Sequence, residues 1–126
     1  MNALKTLVCL VAISFASLST LAYAENNEQV KAAIEQTVAK LEQAAAAVDK
    51  GEDAKVIVEM VLEAKQLQKT ISTSDPKVSI KKAQGSNKLG QARTALNDGD
   101  LKSGGDLVKG ALADYKEVKE KYNATH

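Results

Sequence analysis

Lys40-Leu41-Glu42-Gln43-Ala44-Ala45-Ala46-Ala47-Val48-Asp49-Lys50-Gly51-Glu52 returns later in the chain as Lys88-Leu89-Gly90-Gln91-Ala92-Arg93-Thr94-Ala95-Leu96-Asn97-Asp98-Gly99-Asp100. Lys, Leu, Gln, two of the alanines and the glycine recur in the same register. Each copy reads as the end of an amphipathic helix, with apolar residues at i, i+3 and i+7 followed by a glycine stop and an acidic restart. A phrase repeated at this period predicts two copies of one helical hairpin, neither of which could bury its apolar stripe alone. The expected fold is therefore all-α, an up-down-up-down four-helix bundle built from two related hairpins.

Working toward the N-terminus, residues 1–24 read as a signal peptide. Lys5 supplies the positive start, Leu7 to Phe15 is a short apolar run, and Ala22-Tyr23-Ala24 is a small-x-small cleavage site. The run is shorter than the roughly 20 residues a membrane span needs. Cys9 falls inside it, behind Val8 rather than a small residue, which disfavours lipidation. Cleavage after Ala24 leaves residues 25–126 as one helical domain, periplasmic or secreted. No cysteine remains in that part, as is ordinary for exported bacterial helical proteins. Losing Lys5 also brings the basic count of 17 level with the acidic count of 16. That balance argues against a nucleic-acid partner, which needs a basic footprint.

Within the domain, Asn26 or Asn27 can cap a first helix, and Val30, Ile34, Leu41, Ala44 and Val48 form its stripe. Gly51 ends it and Asp53 caps a second helix whose seam is Ile57, Met60, Ala64, Leu67 and Ile71. Val56, Val58, Val61 and Leu62 widen that seam, so the second helix is expected to be the most buried. Asp75-Pro76 is a specific helix start. The third helix, Pro76 to Asn97, is expected to be the weakest, because Gly85 and Gly90 each cost about 1 kcal/mol against alanine. The fourth carries Leu101, Val108, Ala111, Tyr115, Val118 and Tyr122 at heptad spacing, with Gly104 and Gly105 predicting a start nearer Asp106. No segment alternates with period two, so no sheet is expected.

Catalytic chemistry finds little support. The only histidine is His126, no serine sits in a Gly-x-Ser-x-Gly turn, and no glycine pair makes a phosphate loop. The chain reads as a non-enzyme. Asp98-Gly99-Asp100 fails calcium-loop spacing and reads as helix caps. Met60 reads as packing. The residues that could hold a divalent metal ion are Glu59 and Glu63 at i, i+4, Asp114 and Glu117 at i, i+3, and His126. The residues that could dock an anionic protein or membrane surface are Lys77, Lys81, Lys82, Lys88 and Arg93, a run of cations with no acid among them. Neutralisation by acidic neighbours, setting helix order, is the plainer reading of the same run.

The exported helix pair ending in Ala-x-x-x-Lys-Gly-Glu, followed by Val61-Leu62-Glu63-Ala64-Lys65 and then duplicated, resembles the small metal-binding protein family of bacterial periplasmic helical bundles. The resemblance runs through Leu41 to Gly51, Val61 to Lys65 and Leu89 to Gly99. It implies a four-helix bundle, a periplasmic address and a histidine face for divalent transition metals. Here Lys, Ala, Asp and Gln occupy the helices and only His126 remains, so metal binding would fall to carboxylates and be weak. A fainter similarity, to soluble four-helix b-type cytochromes, lies in Asp114 to Tyr122. The axial histidine expected near Lys119 and a methionine in the first helix are both missing, so no haem is implied. The resulting expectation is a non-enzymatic exported bundle with weak divalent-cation binding. The alternative is a periplasmic interaction or stress-adaptor module using its basic third helix.

Overall fold

The computed structural model describes residues 27–126; the expected signal peptide with its expected cleavage site, Cys9 and Asn26 lie outside the described residues. Four helices follow in order: α1 (Asn27–Asp49), α2 (Ala54–Gln68), α3 (Pro76–Asn97) and α4 (Leu101–Thr125), with no strand among the described residues. Their boundaries follow from capping chemistry. Asp53, Asp75 and Asp100 accept hydrogen bonds from the backbone N–H groups of Lys55, Lys77 and Ser103, satisfying donors that a helix start leaves orphaned. Pro76 opens α3 where its missing N–H costs nothing.

The duplicated phrase closes twice in the same way. Gly51 and Gly99 take φ of 71° and 83°, conformations only glycine enters cheaply. Gly51 N–H donates to the Val48 carbonyl and Glu52 N–H to Ala47; Gly99 donates to Leu96 and Asp100 to Ala95. These are two Schellman stops on equivalent residues.

Cross-contacts give the helix directions. Tyr122 near the end of α4 meets Asn27 at the start of α1, while Gly105 near the start of α4 lies against Val48 at the end of α1. Gly104 lies against Leu96 at the end of α3, so α4 runs antiparallel to both α1 and α3. Each helix packs mainly on two neighbours, in the ring α1-α2-α3-α4, and the α3–α4 joint is the most extensive. The core is aliphatic, drawn from Val30, Ile34, Leu41, Ile57, Val61, Ile71, Leu89, Leu96, Val108 and Val118, with Tyr115 its largest fully buried side chain.

Four expectations about the helices are corrected. α4 begins at Leu101 rather than near Asp106. A Cβ at Gly104 would come 2.6 Å from Leu96, and one at Gly105 2.6 Å from Val48. The glycine pair therefore lets α4 approach the equivalent residues of both repeats, and this contact outweighs glycine's poor helix propensity. α2 is not the most buried helix, since Val56 and Leu62 stay exposed while α1 and α4 each bury a longer face. Gly85 is no defect of α3: it is buried beneath the Tyr115 ring. Leu101, expected on the α4 seam, is exposed.

Candidate functional site

At the α3–α4 joint the two groups of candidate residues turn out to face each other. Asp114 is buried among core residues of α4, and its carboxylate accepts from Lys88 Nζ at 2.7 Å, with Lys81 Nζ at 3.9 Å. Lys81 also reaches Glu117 at 3.3 Å. Two carboxylates proposed as metal ligands thus share two lysines proposed as docking cations. A buried carboxylate keeps its charge only with such partners, so the pairing explains how Asp114 is tolerated in the seam.

Beside this cluster lies a closed polar contact. The Tyr115 hydroxyl points at Gln68 Oε1 (3.1 Å) and the Lys82 carbonyl (3.2 Å), and Gln68 in turn donates to the Lys65 carbonyl. Burial, assisted by the nearby Asp114 charge, pushes the Tyr115 phenol far above its ordinary range. Lys82 turns toward α2 and donates to the Ile71 carbonyl at 2.8 Å; partial burial lowers its pKa.

The five cations of α3 are not gathered into one strip. At about 100° per residue, Lys77, Lys81 and Lys88 fall along the edge that meets α4, while Lys82 and Arg93 fall along the edge toward α2. Lys77 and Arg93 are exposed, whereas Lys81, Lys82 and Lys88 are occupied in the joints. Between the two edges the outward face of α3 is uncharged: Ile80, Ala83, Asn87, Gln91 and Thr94 are all exposed, Ile80 at 57%. This face spans about 21 Å at 1.5 Å per residue. Sequence reading missed it because the intervening cations dominate the linear segment. Spacings of three and four between these neutral residues were the available signal.

The remaining metal candidates stand apart. Glu59 and Glu63 are both exposed on adjacent turns of α2, and Lys40 of α1 holds Glu63 at 3.0 Å. His126 stacks on Tyr122 with ring centroids 4.0 Å apart, its Nδ1 lying 3.1 Å from the Tyr122 carbonyl. It borders a polar cleft of about 150 Å³ between Asn27 and Val30 of α1, Ser72 to Ser74, and Tyr122. Asp114 is twelve residues from His126 along the helix, about 18 Å away. Among the described residues no three His, Cys, Asp or Glu side chains are grouped as metal ligands would be. No described helix is long and apolar enough to cross a membrane.

Comparison with protein-family models, curated proteins and solved structures returns no match for this chain.

Proposed function

We propose that the chain is an exported, non-enzymatic bundle of two related hairpins, similar in type to the small metal-binding proteins, that works by binding at its surface. Its signal peptide would be removed after Ala24, leaving the domain in the periplasm or outside the cell. The binding face is the uncharged outer face of α3, and the observation that carries this reading is the exposure of Ile80 among Ala83, Asn87, Gln91 and Thr94, edged by Lys77 and Arg93. Such a face suits a protein partner with an apolar or amide-bearing centre and an acidic rim, since buried contact supplies affinity and peripheral charge supplies steering.

The test is capture from the exported fraction of the native host. Replacing Ile80 and Gln91 with Glu should abolish recovery of the partner without changing helicity. Recovery of the same protein by the double variant removes the reading.

A second reading rests on Glu59 and Glu63, which stand exposed one turn apart on α2 as a pair able to hold a divalent cation weakly. Titration with copper, nickel and zinc separates the two. Heat of binding lost in Glu59→Gln/Glu63→Gln, and retained when His126 is replaced by Ala, supports carboxylate binding, whereas the reverse pattern assigns the metal to the chain end.

A further inference from the structure

The three reversals of the chain are built differently. Within each hairpin the turn is forced, by Gly51 at φ 71° and Gly99 at φ 83°, each closed by its paired Schellman bonds. Between the hairpins it is not. α2 runs out at Lys69, still right-handed at φ −62° and ψ −26°, through successive short-range bonds from Lys69, Thr70 and Ile71 to Gln66, Leu67 and Gln68. Among the described residues no positive φ lies in this connection. The contacts that fold its first half back come from outside it, since Ile71 is fully buried and Lys82 Nζ donates to its carbonyl at 2.8 Å. Its second half carries only local bonds, Asp75 N–H to Thr73 Oγ1 at 3.1 Å and Ser79 Oγ to the Thr73 carbonyl at 3.4 Å.

We infer that the chain exchanges hairpins with a second copy of itself, residues 69–75 opening as the hinge. The partner surface is the one each hairpin already presents to the other. Asp49–Lys109 (2.7 Å), Glu35–Lys119 (4.0 Å), Tyr122–Asn27 (2.9 Å) and Tyr115–Gln68 (3.1 Å) all join the α1–α2 hairpin to the α3–α4 hairpin. Every one of them re-forms between copies when the hinge straightens, because the interface is identical whichever chain supplies it. Seven hinge residues extended reach about 23 Å, enough to carry one hairpin clear of the other. The exchanged pair forfeits only the contacts of the hinge, against an association term that weakens as concentration rises.

The test uses the full chain with Cys9→Ser, so that only introduced thiols react. Asp49→Cys/Lys109→Cys places one thiol on each hairpin, and Lys40→Cys/Glu63→Cys places both on the first. Each protein is refolded at high and at low concentration, joined with a short bis-maleimide and run on a denaturing gel. Exchange predicts covalent dimers from the first pair at high concentration only, and monomers from the second pair throughout. Monomers alone from the first pair, or dimers equally from both, overturn it. Lys82→Met, which removes the bond to Ile71 while keeping the chain length, should raise the dimer share about fivefold; an unchanged share overturns the hinge. Light scattering of the Cys9→Ser chain and of its Lys82→Met variant reads the same shift without any cysteine pair, so a misfolded double variant does not shelter the idea.

Discussion

The Tyr115 ring of α4 lies directly against the backbone of Gly85 in α3, so close that a Cβ there would stand 2.5 Å from Cε2. The contact lets the largest fully buried side chain among the described residues sit inside a core that is otherwise aliphatic except for Tyr122. Two effects of alanine at this position oppose each other. Helix propensity favours it by about 1 kcal/mol. Overpacking costs about 1–3 kcal/mol, and the ring cannot yield because its hydroxyl is tied to Gln68 and Lys82. Gly85→Ala should therefore lower stability in urea unfolding. Gly90→Ala, where a Cβ meets nothing closer than Lys65 Nζ at 3.7 Å, should raise it by about 1 kcal/mol. Opposite signs for two glycines five residues apart on one helix would be hard to obtain from propensity alone.

The equivalence of the two corners has a quantitative consequence. Gly51 and Gly99 both hold left-handed backbone and neither Cβ would meet a neighbouring atom within 4 Å. Alanine at either site should cost about 1–2 kcal/mol, all of it from the conformation and none from crowding. The two losses should be nearly equal, and the double variant should lose their sum, since the corners are independent. Chemical denaturation of the three variants measures this.

The architecture was readable because its punctuation is local. Asp53, Asp75-Pro76, Gly51 and Gly99 act within a few residues of themselves, so their meaning survives without knowledge of the partner helices. Where the sequence misled, the deciding contact came from far along the chain. Gly104 and Gly105 looked like a frayed start until Leu96 and Val48 were seen against them. Gly85 looked like a flaw until Tyr115 covered it. The candidate site suffered in the same manner: Asp114 and Glu117 were read within α4 and Lys81 and Lys88 within α3, while their pairing belongs to the joint between them. A helical wheel of α3 would have divided its cations between two edges, but which edge meets which acid depends on the ring order of the helices.

The Asp114 cluster should matter more than the other ion pairs. Its carboxylate is nearly fully buried and accepts from Lys88 at 2.7 Å, whereas Asp49 and Lys109 meet in open solvent, where screening and side-chain entropy leave little net gain. Asp114→Ala leaves Lys81 and Lys88 beside an apolar gap and should cost about 1–3 kcal/mol, at the lower end because both lysines can swing into water. Asp49→Ala should leave the midpoint unchanged. Denaturant midpoints at low and at high salt check both: the Asp114→Ala loss should persist at high salt, because a buried pair is screened little, and Asp49→Ala should match the parent at either salt.

Alkaline pH offers the sharpest probe of the buried hydroxyl. The folded-state pKa of Tyr115 is raised well above its ordinary value, chiefly by burial and secondarily by the Asp114 charge. A phenol whose folded pKa is raised binds its proton more tightly in the native state than in the unfolded one. Its contribution is therefore complete below the unfolded pKa of about 10 and declines as pH rises above it, since unfolding then releases the proton. Stability measured by urea at pH 8 to 11 should hold on the lower side and fall steeply on the upper. Tyr115→Phe should start about 1 kcal/mol lower, having removed the O–H that Gln68 Oε1 accepts from and that also reaches the Lys82 carbonyl. It should then lose less with pH, because the group that must not ionise is gone. Lysine titration contributes equally to both curves, so their difference isolates the phenol. Parallel curves for the two proteins would place the alkaline loss elsewhere.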